Sequence, residues 1–439
     1  MSHEILGFIL LAVFLFAIFI GFPVSFTLIF LSLAFGYFAL GDMVFYLTVL
    51  QTIGLMKEEV LAAVPLFIFM GYLLEEGGLM ERLFHAFRLL MGGIPGSLYV
   101  AVLATATIFG IAAGTVGATV AVVGIMAVPT MVRAGYDARL SAGSITAGGS
   151  LGILIPPSVM LVVMGPVMGV SVADLYAACF GPGFLLAGIF IGWTLIRSLI
   201  NPRLGPPLPL EQRSGSLRTL TVELTLGMLP HVILTVITLG PILAGMATPT
   251  EAAAVGVVGT VIMAALYRAL SWTRVKDAML QTAQQTSMVL FLAVASNIFG
   301  AVFTRLGSAT LMTDTLIGLP LPPMGTMLVV MFLIFLMGWP FEWPAIVLVF
   351  VPLLQPAIIA LKFDQLWFAT LIAVNLQTAF LSPPVAMAAY YLKAVAPDWK
   401  LTDIYWGMAE FMVLQVVGLL VLLFFPGLAL WFPHWLYGP

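Results

Sequence analysis

Apolar runs near the roughly 20 residues that cross a bilayer as a helix follow one another from residue 5 to residue 432, with only brief polar interruptions. Residues 5–21 and 24–40 predict two spans parted at Gly21-Phe22-Pro23, and 44–56 is a third apolar segment. Lys57-Glu58-Glu59 precedes a further span that reaches about Leu74. From Glu81 to Leu90, charges fall on one helical face and Leu and Phe on the other, which predicts a helix lying along the membrane surface. Two short arms follow, 98–113 and 118–132, joined by Gly114-Thr115-Val116-Gly117. Each is too short to cross comfortably, so together they predict a re-entrant hairpin with a small-residue tip near the midplane.

The next segment, 139–170, is apolar but carries Gly148-Gly149-Ser150-Leu151-Gly152-Ile153-Leu154-Ile155-Pro156-Pro157-Ser158. Proline removes a backbone donor and clashes with the preceding turn, so a helix breaks here. Broken backbone survives at membrane depth only where protein or water covers it. Asn375-Leu376-Gln377-Thr378-Ala379-Phe380-Leu381-Ser382-Pro383-Pro384 repeats the design. Pro157 and Pro384 lie 227 residues apart, and the same offset joins Pro129 with Pro356, Asp137 with Asp364, and Pro95 with Pro322. With a slip of two residues, Asp174-Leu175-Tyr176 matches Asp403-Ile404-Tyr405.

The chain therefore divides into N-terminal scaffold helices (1–59), a first repeat (60–200), a linker with connecting helices (201–287), a second repeat (288–432) and a tail (433–439). In the second repeat the hairpin falls at about 325–360, its tip at Gly338-Trp339-Pro340-Phe341-Glu342-Trp343-Pro344, and the broken helix at about 366–394. Arg197, Arg203, Arg213 and Arg218 place the linker on the cytoplasmic side by the positive-inside rule. Counting spans outward puts Arg133, Arg139, Lys393 and Lys400 inside and the C-terminus outside, so the two hairpins enter from opposite faces. The expected fold is an all-α polytopic membrane protein built as an inverted-topology repeat, an architecture that binds cargo where the repeats meet.

Composition sharpens this without changing it. Of 439 residues, 62% are hydrophobic and 8% charged, which leaves no room for a soluble domain and confines function to the bilayer and its faces. A net charge of −3 points to no nucleic-acid partner. The N-terminus lacks the basic start and cleavage site of a removable signal peptide and is read as a retained span. Cys179 is the single cysteine, so no internal disulfide forms. His3, His85, His231 and His434 are scattered, and no phosphate-binding Gly-rich loop is present, so no enzyme and no ATPase is expected in this chain.

Helix ends at the tips and breaks leave backbone groups unpaired, and hard cations favour oxygen ligands. Two sodium sites are read from the residues around them. The first comprises Gly114, Thr115, Gly117, Thr119, Gly148, Gly149, Ser150, Gly152, Pro156 and Ser158; the second comprises Gly338, Glu342, Trp343, Asn375, Gln377, Thr378, Ser382 and Pro383. The alternative is that small residues merely permit close helix packing. Glu342 is either an ion ligand or a helix cap. Thr248-Pro249-Thr250-Glu251 reads as a capping box, and Asp137, Asp174, Asp364 and Asp403 as caps at the membrane faces.

These elements resemble the large membrane subunit of tripartite ATP-independent periplasmic (TRAP) transporters, the DctM-like family. The residues that carry the resemblance are Val64-Pro65-Leu66-Phe67-Ile68-Phe69-Met70-Gly71 with Glu76-Gly77-Gly78, the Gly148 to Ser158 break, Thr248-Pro249-Thr250-Glu251-Ala252-Ala253-Ala254, Trp343-Pro344-Ala345-Ile346 and Ser382-Pro383-Pro384. The resemblance implies a sodium-driven elevator in the bacterial inner membrane. It also implies a small four-helix (DctQ-like) membrane subunit and a periplasmic solute-binding (DctP-like) protein that delivers a small organic anion. The first tip departs from the family form, in which Ser and Asp often stand; here it reads Gly114-Thr115-Val116-Gly117-Ala118-Thr119. Rival readings are a stand-alone ion-coupled carboxylate transporter or exchanger of related fold, and a membrane scaffold or channel subunit.

Overall fold

The computed structural model describes residues 3–75, 79–209, 217–383 and 386–438, and among these every regular element is helical. Glu76-Gly77-Gly78, Arg213 and Pro384 lie outside them. Among the described residues, eight helices are long and apolar enough to cross a membrane. The offset of 227 found in the sequence recurs in the elements themselves. Val116–Arg133 matches the continuous helical run Trp343–Ala360, and Ala138–Ser150 begins where Gln365–Leu381 begins. The helix after each break ends in register too, at Met168 and Val395. Local chemistry repeats with the register: Asp137 accepts from the Leu140 amide at 2.8 Å, and Asp364 from the Trp367 amide at 2.7 Å. Each satisfies one of the orphan donors of a helix N-terminus.

The two repeats are joined reciprocally. Ala138–Ser150 packs on Leu401–Phe424, while its counterpart Gln365–Leu381 packs on Val172–Ile200. Val116–Arg133 packs on Met387–Val395, and the second hairpin's helix packs on Val159–Met168. Such exchanged pairing is what a pseudo-twofold axis between inverted repeats produces. Both broken helices occupy the centre: every residue from Leu140 to Met164 is buried, as is every residue from Trp367 to Ser382. Around them lie His3–Ile20, Val24–Leu40, Met43–Met56, Ala63–Glu75, Leu217–Leu243, Pro249–Leu266 and the long Trp272–Arg305 helix. These scaffold helices turn many large apolar side chains outward, Phe16, Phe19, Phe30 and Phe38 among them, as a surface facing lipid or another membrane subunit would.

The amphipathic segment forms a helix over Leu79–Met91 that lies against Leu217–Leu243 and Ser97–Ala113. Burial, reinforced by the Arg88 guanidinium, holds the His85 imidazole below its usual pKa range. His85 Nδ1 then accepts from Arg88 Nη2 at 3.0 Å. Its counterpart, Ser308–Ile317, has no such charge pattern and was not read from the sequence. The first part of the linker is pinned to the base of the first hairpin: Gly205 O accepts from Gly96 N at 2.8 Å, Leu204 O from Asp137 N at 2.9 Å, and Gly92 O from Leu208 N at 3.0 Å.

The expected capping box is present. The Thr248 amide donates to Glu251 Oε2 at 2.8 Å, and the Glu251 amide donates to Thr248 Oγ1 at 3.2 Å. Two of the four aspartates are not caps. Ser171 and Lys400 occupy the cap positions, so Asp174 and Asp403 stand in the first helical turn instead. Asp403 accepts from Arg139 Nε at 2.9 Å, an ion pair that ties the start of one repeat's broken helix to the last long helix of the other. The chain enters those helices one turn earlier than the aspartates alone indicated.

Candidate functional site

Helix ends build the site. Ser97–Ala113 terminates at Gly114, whose φ of +64° is a left-handed conformation that glycine adopts at no steric cost. Thr115 then returns in extended backbone, and Val116 starts the second arm. In the second hairpin the turn runs from Gly338 to Glu342, with Trp343 and Pro344 opening the next helix. Glu342 holds the cap position there, but its carboxylate caps no backbone amide. Glu342 therefore stands at the cap by position, its backbone carbonyl accepting from the Ala345 and Ile346 amides while its side chain makes no capping bond.

Glu342 lines a cavity of about 340 Å³ between the two hairpins and the scaffold. Gly114, Thr115 and Gly117 of the first tip and Glu342 and Trp343 of the second share its wall. Ile153 and Val159 flank the first break there, and Phe380 and Met387 flank the second. Val116, Val159, Trp343 and Met387 all line it, and each is the first residue of its helix. Four helix N-termini thus converge on one space, each bringing the positive end of its dipole, though at the Trp343 end Pro344 supplies no amide hydrogen. The scaffold completes the wall with Tyr72 and Glu75 from Ala63–Glu75 and with Gln281 and Gln285 from Trp272–Arg305.

Sequence reasoning missed Tyr72, Tyr391, Gln281 and Gln285. Gln281 and Gln285 stand one turn apart on a single face, a signal that was present but indistinct. Tyr391 caps the first tip: a Cβ placed on Gly117 would lie 2.9 Å from its Cζ.

The other named residues lie behind this wall, at the contacts between hairpin and broken helix. Gly110 and Gly152 meet backbone to backbone, a Cβ on Gly152 falling 2.7 Å from Gly110 Cα. The second repeat makes the same approach, where a Cβ on Gly338 falls 2.9 Å from Ala379 Cβ. Gly149 faces Val120, and Gly148 faces Ala106 with a prospective Cβ contact of 2.9 Å. Small residues here do serve close packing, and they bring the first tip beside the first break, since Gly114 looks onto Pro157 O.

Hydroxyl groups at the breaks spend their protons on backbone carbonyls. Thr119 donates to Thr115 O (2.7 Å), Ser150 to Ala147 O (2.9 Å), Thr378 to Asn375 O (2.6 Å) and Ser382 to Thr378 O (2.7 Å), while Ser158 donates to Ile153 O. Each oxygen is left with lone pairs, which suits a cation. Asn375 Nδ2 donates to Met331 O at 2.7 Å across to the second hairpin, and Gln377 Nε2 donates within its own helix to Ala373 O at 3.3 Å. Asn375 Oδ1 and Gln377 Oε1 are buried acceptors without partners. Pro383 is exposed, and Pro156 is buried in a cis bond to Pro157. Among the described residues no three of His, Cys, Asp and Glu come together, so oxygen ligation by backbone, hydroxyl and amide is the chemistry these breaks offer a cation.

Comparison with known proteins fits this architecture. The chain is 28% identical over 398 residues to the C4-dicarboxylate TRAP transporter large permease protein DctM of Rhodobacter capsulatus, covering 87% of this chain and 88% of that one. It is 29% identical to the sialic acid TRAP transporter large permease protein SiaM of Vibrio cholerae, covering 96% and 97% of the two chains. The isethionate TRAP transporter permease protein DctMQ of Oleidesulfovibrio alaskensis is 28% identical over 84% of this chain and 57% of its own length. Among solved structures, the Alcanivorax borkumensis YdaH transporter, described as having an unusual topology, aligns with a TM-score of 0.59 at 16% identity, covering 89% of this chain and 88% of that one. That likeness is one of fold. The family described as "Tripartite ATP-independent periplasmic transporter, DctM component" matches residues 10–428, and the chain belongs to it.

Proposed function

We propose that this subunit imports a small organic acid into the cell by coupling to sodium, with the hairpins and broken helices moving as an elevator against the scaffold. The observation that carries the organic-acid reading is the convergence of four helix N-termini on one cavity of about 340 Å³. Unpaired amides and aligned dipoles favour a carboxylate there, and the volume suits a small molecule. Sodium, as co-transported cargo, would sit behind that wall. In the first repeat it would meet Gly114, Thr119, Ser150 and Ser158; in the second, Gly338, Asn375, Thr378 and Ser382.

The protein lies in the inner membrane in this reading, linker inside and C-terminus outside. It works with a small membrane subunit and a periplasmic binding protein. The DctMQ relative, of which this chain spans 57%, supports the small subunit as a partner. Reconstitution of the three components in proteoliposomes tests the proposal. Uptake of the acid carried by the cognate binding protein is expected only under an inward sodium gradient. Equal flux without sodium, or without the binding protein, would overturn it.

A further inference from the structure

Two buried polar groups stand open at the boundary between the first hairpin and the scaffold. His231 of Leu217–Leu243 is 1% exposed, and its Nδ1 lies 3.0 Å from Gly227 O. A carbonyl only accepts, so Nδ1 carries the proton and Nε2 is an acceptor; Nε2 has no partner among the described residues. Thr105 of Ser97–Ala113 is fully buried, and its hydroxyl has no partner among them either. Thr107 on the same arm, by contrast, donates to Leu103 O at 2.6 Å. The two helices pack on each other, and Phe109 of the arm meets the His231 ring edge-on with centroids 6.2 Å apart. Thr105 precedes Phe109 by one turn, about 6 Å, on the same face of the arm. A complementary donor and acceptor are thus held one turn out of register, and each is costly to leave unmade.

The register has a direction. In the topology proposed above, both helices run outward from the cytoplasmic face, the arm toward its tip at Gly114 and Leu217–Leu243 away from the linker. The cavity beneath the tips is walled by Gln281 and Gln285, in the half of Trp272–Arg305 nearest Arg274 and Lys276, so this conformation faces the cytoplasm. Moving the hairpin outward carries Thr105 to the level that Phe109 now holds. We propose that Thr105 and His231 are positioning residues for transport: after an outward slide of one turn the Thr105 hydroxyl donates to His231 Nε2, and this bond stabilises the outward-facing position. The proposal rests on the elevator reading above and adds to it a contact that forms at the far end of a step. One-turn steps of one element past another are an established kind of switching transition, and the apolar Phe109 moves to the next turn with no directional bond to break.

The test uses the complex of the large and small subunits in proteoliposomes, with spin labels on Ile125→Cys of the hairpin and Val258→Cys of the scaffold in a Cys179→Ala background; Ile125 and Val258 are both exposed. Pulsed distance measurements with and without sodium give the ratio of outward to inward populations. Thr105→Val keeps the side-chain shape and removes the donor, and should lower that ratio about fivefold, the weight of one ordinary hydrogen bond. Thr105→Ser should restore it. His231→Leu should lower the ratio to the same extent, and the double variant no further. An unchanged ratio in Thr105→Val would overturn the proposal, as would additive effects of the two substitutions; a loss of thermal stability without a change of ratio would mean that water bridges the pair and that it positions nothing. Mercury(II) should crosslink His231→Cys with Phe109→Cys in the inward position and with Thr105→Cys in the outward one. Two distance populations without the second crosslink would remove the one-turn step and leave the elevator standing, whereas a single population throughout sodium-driven uptake would remove both. Should His231→Leu fail to fold, the comparison of Thr105→Val with Thr105→Ser still decides.

Discussion

The amide of Asn375 bridges a broken helix and a hairpin arm 44 residues apart in sequence, with Nδ2 on Met331 O at 2.7 Å and Oδ1 buried without a partner. A buried acceptor left open costs stability unless something fills it, and sodium would fill it here. Asn375→Leu removes both the bridge and the acceptor at similar volume. It should lower the stability of the purified subunit by about 1–3 kcal/mol and raise the sodium concentration needed for half-maximal thermal stabilisation; an unchanged sodium response would take Asn375 out of the ion site. The amide was conspicuous in the sequence because a polar side chain in an apolar run demands a reason. Tyr72 and Tyr391 were not, since a lone tyrosine among apolar residues is ordinary. Glu342 was visible, but its role depended on where its carboxylate turns, which neighbouring residues do not specify.

At the scale of elements, glycines set how closely each hairpin approaches its broken helix. A Cβ on Gly152 would meet Gly110 Cα at 2.7 Å, Gly110 O at 3.0 Å and Gly110 C at 3.1 Å, all backbone atoms that have no rotamer to change. Gly188, in the middle of Val172–Ile200, has nothing within 4 Å. Gly152→Ala should therefore destabilise by about 1–3 kcal/mol through overpacking and impair uptake. Gly188→Ala should be neutral or stabilise by up to about 1 kcal/mol, because alanine is the better helix former. Thermal melts of the two variants decide; equal behaviour would mean that the hairpin and break are not in contact at Gly110. The elements themselves were legible because prolines and capping aspartates punctuate both repeats at one interval. Ser308–Ile317 was not, because its packing against neighbours rather than any amphipathic pattern holds it in place. The Arg139–Asp403 pair was hidden for a related reason: an ion pair between residues 264 apart leaves no local periodicity.

Across the whole molecule, an elevator requires the hairpins to slide over a scaffold without breaking strong directional bonds. Phe14 of the first helix stacks on Phe341 of the second hairpin, centroids 5.9 Å apart and planes at 11°, and lies 6.4 Å from Phe350 and 5.8 Å from Phe299 of the long scaffold helix. Such contacts are non-directional and can be re-formed after a shift, in contrast to the hydrogen bonds and the ion pairs Arg139–Asp403 and Arg197–Glu410 that hold the two repeats to each other. The inverted repeat that the sequence spelled out explains the two tips, but this sliding face joins the second hairpin to an N-terminal helix outside the repeat, so no internal symmetry announced it. Because Cys179 is the only cysteine, a Cys179→Ala background allows a clean crosslink between Phe14→Cys and Phe341→Cys. Oxidation should stop sodium-driven uptake in proteoliposomes and a reductant should restore it, while each single cysteine variant keeps working after the same treatment. Uptake that continues in the crosslinked protein would mean that the second hairpin stays fixed to Phe14 throughout the cycle, and the moving boundary would then have to lie between this pair and the rest of the scaffold.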